Sequence, residues 1–167
     1  MKLFSANVED LRTLYITELK KALDMEEKIT KALPDLIEAS SDPELSAVFS
    51  DHLEETRTHV AKIQELLQAN TGEVSTLACK AIGGLSTEAS DTIKDVTEAS
   101  IRDIALIGAA QQVEHHEIAV YGTLRRWAEI LGLDEDAAIL ESIEAQEIDA
   151  DELLSELSER VNFQAAA

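Results

Sequence analysis

The sequence predicts an all-α protein in which four long helices form a bundle and a shorter helix joins its two halves. Three observations predict this fold. Ala, Leu, Ile and Glu dominate the 167 residues, whereas aromatic residues make up only 4% and there are six glycines and two prolines, a mixture that favours helices over sheets. Capping and turn residues divide the chain into segments ordered long, long, short, long, long. Each long segment also carries apolar residues at alternating steps of three and four, the spacing of a packed helix face.

The first two long segments predict an antiparallel helical hairpin. The first helix is expected over about residues 7–40, and Pro34 is expected to bend it near its end because proline lacks a backbone donor. The stretch "SSDPEL" then provides Asp42 as a helix N-cap and Pro43 as the first helical residue. The second helix is expected to continue to about Asn70, where "NTGE" ends it. Such a short connection forces the two helices to run antiparallel.

The middle of the chain, residues 73–98, predicts a short helix and a crossover. Its apolar pattern is weaker than elsewhere, and Gly83 and Gly84 interrupt it as an expected bend. The segment is long enough to cross the bundle, and two hairpins joined by a crossover form one of the standard four-helix topologies.

The last two long segments predict a second antiparallel hairpin. A third long helix is expected over about residues 99–131, with Gly132 as its C-terminal stop. Asp134 is expected to cap a fourth helix over about residues 135–162. The tail, residues 163–167, is expected to fray.

Length and charge limit the kinds of partner. The whole chain, residues 1–167, is long enough for one domain with one core. Its formal charge of -20 repels phosphate backbones and anionic lipid, so we expect neither nucleic acid nor a membrane surface as a partner. The single cysteine, Cys79, excludes an internal disulfide. The start "MKLFSANVED" has no signal-peptide core, and no run approaches the ~20 apolar residues of a membrane span, so we expect a cytoplasmic protein.

A glutamate interrupts the apolar face near the middle of each long helix. The four residues are Glu26, Glu55, Glu117 and Glu147. Within the first hairpin the two glutamates are 29 residues apart, and within the second they are 30 apart, so matching hairpins would bring all four carboxylates to one level. Four buried like charges would repel one another, and bound cations would reverse that repulsion. The spacing therefore predicts a metal site in the core.

Further candidate ligands lie one turn from these glutamates on the same helical faces. They are His52 and His59 beside Glu55, Glu114 beside Glu117, and Asp151 beside Glu147. His59 is either a ligand or a buried core histidine, and His52 is either a ligand or a hydrogen-bond donor to one. Tyr121, four residues after Glu117, is either a packed aromatic residue or a hydrogen-bond donor to the site. The constellation resembles the carboxylate-bridged two-metal sites of four-helix bundles.

Several stretches also resemble the YciF-like branch of the ferritin-like superfamily. They are "ELKKALDMEEKITKALP", "DHLEET" with its following "HV", and "IRDIALI" with "AAQQVEHHEIAVYGTL", and the likeness covers about residues 8–157. The resemblance implies a ferritin-like four-helix bundle with an extra short helix, a two-metal carboxylate site and a homodimer. It also implies a bacterial or archaeal cytoplasmic protein linked to stress responses. The same likeness implies these polar inner positions: Glu26, His52, Glu55, Glu114, Glu117, Glu147 and Asp151.

The candidate ligands depart from the wider ferritin-like pattern, which has Glu-x-x-His in two helices. Here Thr58 and Ala150 stand three residues after Glu55 and Glu147, and the fourth helix has no histidine. An oxygen-rich donor set favours Mn, Fe(II) or Mg over Zn. We therefore expect two divalent metal ions, with Fe or Mn ahead of Mg.

The sequence leaves two classes of function open and identifies no catalytic residue. In the first, a redox metalloprotein holds two Fe or Mn ions that react with oxygen or peroxide, or it takes up and oxidises Fe(II). In the second, a non-enzymatic, stress-associated dimer has a vestigial or structural metal, and its acidic layer fixes the helix register. Iron storage in a cage is a third, weaker hypothesis, because the resemblance is to a dimeric branch.

Overall fold

The computed structural model describes residues 8–165, and this part of the chain contains five α-helices and no strand. The helices are α1 (Leu11–Ala39), α2 (Pro43–Thr71), α3 (Lys80–Asp95), α4 (Ala99–Ile130) and α5 (Asp134–Ala165). The predicted all-α fold of four long helices and one short helix is confirmed. The expected first residue of the first helix, Asn7, and the last two residues of the tail lie outside the described residues.

The long helices form two antiparallel hairpins. α1 packs mainly against α2, and α4 packs mainly against α5. Arg12, at the start of α1, donates to Asn70 Oδ1 at the end of α2 over 3.0 Å. Gln111, in the first half of α4, donates to Ser155 Oγ in the second half of α5 over 2.9 Å. The predicted pair of hairpins with a crossover between them is therefore confirmed.

Capping residues mark the boundaries of the long helices where the sequence predicted them. The Asp42 side chain accepts hydrogen bonds from the backbone N–H groups of Glu44 and Leu45, so it caps α2. Gly72 follows α2 with φ 75°, and Gly132 follows α4 with φ 70°. These two positions adopt the left-handed conformation, in which glycine avoids the steric cost that a side chain incurs.

Two helix boundaries differ from the expected ones. α1 begins at Leu11, four residues after the expected start, with Asp10 as its N-cap, and continues through Pro34 to Ala39, close to the expected end. α5 begins at Asp134 itself, which is therefore its first residue and not its cap, and extends to Ala165, beyond the expected end at residue 162. Both differences lie in the terminal turns of helices, which fray.

The short helix α3 lies across α1 and α4. Gly83 and Gly84 are inside this helix, so the expected bend at these glycines is wrong. A glycine costs about 1 kcal/mol in a helix, and packing can outweigh that cost. Here the packing comes from the side chains of Ile82 and Ala89, which are buried against the bundle.

Polar side chains are buried at three levels of the bundle. Asp103, at one end, accepts hydrogen bonds from the Ser41 backbone N–H and hydroxyl. Asp136, at the other end, accepts from the Tyr15 hydroxyl over 2.8 Å and the Asn70 amide over 2.7 Å. The buried glutamates and histidines lie between these ends and form the site described next. In the described part of the chain, no helix combines the length and apolar character that a membrane crossing needs.

Candidate metal centre

Six titratable side chains from four helices meet in the middle of the core. They are Glu26 of α1, His52 and His59 of α2, Glu114 and Glu117 of α4, and Glu147 of α5. All six are buried, and Glu26, His59, Glu117 and Glu147 have no exposed surface. Each lies on the helix face that packs into the bundle, which is why positions spaced by three and four residues converge here. Six of the eight predicted ligands are thus brought together.

The six side chains form two overlapping groups, each of a size that suits one ion. The first group is His52, Glu114, Glu117 and Glu147, and the second is Glu26, His59 and Glu147. Within each group the candidate ligand atoms all lie within 4.8 Å of one another. Glu147 belongs to both groups, so it would be a shared ligand if each group held an ion.

Close contacts link the histidines to the carboxylates in both groups. His52 Nε2 lies 3.3 Å from Glu114 Oε1. His59 Nδ1 lies 2.9 Å from Glu147 Oε1 and 3.9 Å from Glu26 Oε1. Each group therefore presents both nitrogen and oxygen donors to the same small volume.

The centre holds most of the unpaired polar atoms in the described part of the chain. Ten buried side-chain nitrogen and oxygen atoms there lack a hydrogen-bond partner, and nine of them belong to these six residues. They include both oxygens of Glu117, both oxygens of Glu147 and both ring nitrogens of His52. An unpaired buried polar group costs about 1–3 kcal/mol, and more if it is charged. Three of the nine, His52 Nε2, His59 Nδ1 and Glu147 Oε1, lie close to another atom of the centre without forming a hydrogen bond with it, and coordination of cations would satisfy all nine.

The carboxyl groups of the centre resist ionisation without a cation. Burial, followed by the charge of Glu147, raises the pKa of Glu26 from 4.5 to about 8. Burial and the same charge raise the pKa of Glu114 and of Glu117 well above 4.5. These carboxyl groups therefore tend to hold protons at neutral pH, and metal ions would displace those protons.

The two histidines differ in their electrostatic surroundings. Burial lowers the pKa of His52, so this imidazole is neutral and offers a lone pair. Burial also acts to lower the pKa of His59, but the contact with Glu147 and the charge of Glu26 outweigh it, and the pKa is raised. Gln146 Oε1, at 3.2 Å, can accept a hydrogen bond from His59 Nε2–H, which leaves Nδ1 facing Glu26 and Glu147. Gln146 escaped the sequence analysis because it stands one position off the apolar face of α5.

Tyr121 reaches the centre as a hydrogen-bond donor, the second of the two interpretations offered by the sequence. Its side chain is fully buried, and its hydroxyl donates to Glu26 Oε1. Burial raises the pKa of Tyr121 well above 10.0, so the phenol keeps its proton and remains a donor. Tyr121 therefore holds one oxygen of Glu26 and leaves Glu26 Oε2 without a partner.

Glu55 lies outside both groups, and its expected position in the core is wrong. The buried face of α2 passes through His52, Thr56 and His59, so Glu55 is one position off that face and only half-buried. Its Oε1 accepts from Gln146 Nε2 over 3.5 Å, at the edge of the centre. Of the three residues predicted for the inner face of α2, which are His52, Glu55 and His59, only the two histidines are buried in the core.

Asp151 also lies outside both groups. The buried face of α5 continues from Glu147 through Ala150, which leaves Asp151 half-buried at the rim. There it lies 3.3 Å from Nδ1 of the exposed His115 and accepts from Gln111 over 3.4 Å. Asp151 thus faces a surface histidine and not the centre.

The resulting donor set of four carboxylates and two imidazoles is less oxygen-rich than the sequence predicted. Both imidazoles come from α2, and α5 contributes only the carboxylate of Glu147. Mixed carboxylate and imidazole donors suit divalent transition metals. The residues therefore fit metal binding in chemistry, burial and unmet bonding capacity.

Comparisons with known proteins give relatives over nearly the whole chain. A family model described as "Domain of unknown function (DUF892)" matches residues 10–167. Protein YciF of Escherichia coli strain K12 is 35% identical over 153 residues, which are 91% of this chain and 92% of that protein. The solved structure of YcfI from Rhodopseudomonas palustris has a TM-score of 0.88 and 35% identity, over 92% of this chain and 98% of that one. The structure of the E. coli stress protein YciF also has a TM-score of 0.88, with 34% identity over 92% of this chain and 97% of that one.

Proposed function

This chain belongs to the DUF892 family and is YciF-like, and from that premise we propose that it binds two divalent metal ions, Fe(II) or Mn(II), in the core of the bundle. Glu26, His59 and Glu147 hold one ion. The other is held by Glu147 with the remaining members of the first group, which are His52, Glu114 and Glu117. Glu147 bridges the two ions.

One observation carries this proposal: nine unpaired buried polar atoms surround two ion-sized sites that share a carboxylate. A layer that served only to fix helix register would be expected to satisfy its own hydrogen bonds, because an unsatisfied buried group costs stability. A single ion would leave one of the two groups without a partner. Two ions account for both groups at once.

We further propose that the metal pair reacts with a small oxidant, oxygen or peroxide, as part of a stress response. An Fe(II) pair held by these residues would supply two electrons, which with two protons would reduce one dioxygen to hydrogen peroxide, or one hydrogen peroxide to two waters. The description of the relative YciF as a stress protein supports the link to stress. The chain's own residues prepare the site: Tyr121 holds one oxygen of Glu26, and Gln146 orients His59. We also propose that the protein is cytoplasmic.

The shared glutamate provides the test. We expect Glu147→Gln to lose binding of both ions, measured by calorimetric titration of Mn(II) and by elemental analysis of protein purified without chelators. Glu152→Gln is the matched control, because Glu152 lies on the same helix but is exposed, and it should bind as the wild type does. Two ions per chain in the wild type support the proposal. Full binding by the Glu147 variant, or no binding by the wild type, contradicts it.

The redox step needs a separate measurement. Protein loaded with Fe(II) without air should consume oxygen or peroxide and develop the absorption of oxo-bridged Fe(III). A metal-replete protein that ignores both oxidants would contradict the redox proposal and favour the non-enzymatic structural dimer.

A further inference from the structure

A small apolar cavity lies beneath α3 and ends at the metal centre. Its volume is about 40 Å³, and helices α1 to α4 all contribute to its wall. Among the described residues that line it, only His52, Ser86 and Glu114 are polar. His52 and Glu114 are also members of the first metal group, so the cavity shares a wall with the proposed metal pair.

The chemistry of the cavity limits its occupant. A trapped water needs two to four polar partners. The unpaired atoms at this wall are both ring nitrogens of His52 and Oε2 of Glu114. Ten of the thirteen residues that line the cavity are apolar, so the wall away from these atoms is apolar with or without metal. The space then suits a nonpolar molecule of roughly two or three heavy atoms, because dry apolar cavities take up such species.

From this geometry we propose that the cavity binds small nonpolar molecules and delivers dioxygen to the His52–Glu114 side of the metal pair. The delivery rests on the proposed function, whereas the binding of nonpolar molecules does not. Hydrogen peroxide is disfavoured here, because it would give up its hydrogen bonds to water without finding replacements. The cavity thus selects dioxygen as the oxidant over peroxide.

A larger side chain in the wall of the cavity, either on α3 or on α4, can block it. Ala89 of α3 lines it and is 6% exposed, so a larger side chain at this position fills the space. Ala109 of α4 lines it from another helix and provides a second way to block it if the first variant folds poorly. Ala81 lies on α3 but is exposed, so Ala81→Leu adds the same volume outside the cavity.

Xenon tests the binding step on metal-free protein. Crystals of the full chain pressurised with xenon should show an atom in contact with His52 and Glu114, and xenon-129 NMR should show saturable binding. Ala89→Leu or Ala109→Leu should abolish that binding, whereas Ala81→Leu should keep it. Absence of xenon from the wild-type cavity would overturn the inference.

Rates of Fe(II) oxidation in the loaded protein test the delivery step. The blocked variants should lose more rate with dioxygen than with hydrogen peroxide, and Ala81→Leu should lose neither. Unchanged rates, or equal losses with both oxidants, would overturn the delivery of dioxygen. A wild-type protein that takes up xenon but binds no Fe(II) would refute the proposed function and leave the cavity as a gas-binding site. A protein that binds Fe(II) but takes up no xenon would refute this inference alone.

Discussion

The buried face of α2 passes one residue away from the predicted position 55, and this difference decides which side chains enter the metal centre. The sequence placed Glu55 on the buried face, but the face passes through Thr56, whose hydroxyl bonds to the His52 carbonyl oxygen within the helix. A helix has 3.6 residues per turn, so positions 55 and 56 both fit a seam of threes and fours. Packing against the other helices settles the choice, and periodicity alone does not contain that information.

Residues that orient ligands were harder to predict than the ligands themselves. Glu26, Glu117 and Glu147 break an apolar pattern, so the sequence exposes them as anomalies. Gln146 breaks no pattern, because it lies at the edge of the buried face, where a polar residue is ordinary. Its role depends on a contact with His59 across 87 positions of the chain.

The contact between Gln146 and His59 can be tested by substitution. Gln146→Met removes the oxygen that faces His59 Nε2 while keeping the length of the side chain. The imidazole then loses the partner that fixes its orientation, and we expect Mn(II) affinity to fall about 10–100-fold. Calorimetric titration measures the change. Gln112→Met, at an exposed position of α4, is the control and should bind as the wild type does. Unchanged affinity in the Gln146 variant would show that Gln146 does not orient the ligand.

Helix order and most helix ends were predictable because their signals are local. Asp42, Pro43 and the glycines after α2 and α4 act within one turn of the chain, so the sequence alone indicates the ends. Gly83 and Gly84 gave the opposite signal in α3, and there tertiary contacts outweigh local preference. The helix with the weakest local pattern is the one that depends most on the rest of the bundle.

Asp24 holds the start of α3 against α1 through a hydrogen bond to the backbone of Cys79. Its carboxylate accepts from the Cys79 backbone N–H over 2.7 Å, and Lys28, which pairs with Asp24, donates to the Cys79 carbonyl over 3.0 Å. Asp24→Ala removes both the acceptor and the partner of the lysine. We expect the start of α3 to open more often, because local opening is rarest where such contacts are intact.

The buried thiol of Cys79 reports that opening. It is 8% exposed, so labelling by a thiol reagent requires α3 to move. Asp24→Ala should label faster than the wild type, and Asp91→Ala, an exposed substitution within α3, should label at the wild-type rate. Equal labelling rates for all three proteins would mean that Asp24 does not hold the start of α3 in place.

We expect a homodimer, as the YciF-like resemblance implies, and its net charge of -20 makes large assemblies costly through mutual repulsion. Sedimentation velocity at physiological salt should give the mass of two chains. A monomer would contradict the expectation, and a particle of many chains would revive the iron-storage hypothesis.

The metal centre also sets how stability depends on pH. In metal-free protein, folding raises the pKa of Glu26 from 4.5 to about 8, and it raises those of Glu114 and Glu117 as well, so the folded chain binds more protons than the unfolded chain. The free energy of unfolding therefore decreases as pH rises. The raised pKa of His59 acts in the same direction, and the lowered pKa of His52 opposes them as a single group.

We therefore expect the melting temperature of metal-free protein to fall between pH 5 and pH 8, a window that Glu26 spans from 4.5 to about 8. Excess Mn(II) should reverse the slope, because metal binding releases these protons and tightens as pH rises, and a ligand that binds only the folded state stabilises it. Glu26→Gln cannot ionise at this position, so it should make the metal-free slope less steep, whereas Glu152→Gln should leave it unchanged. Thermal unfolding followed by circular dichroism, with chelator or with Mn(II), gives both slopes. Parallel curves in the two conditions would mean that the buried carboxylates exchange no protons for metal, and the candidate centre would then not be a metal site.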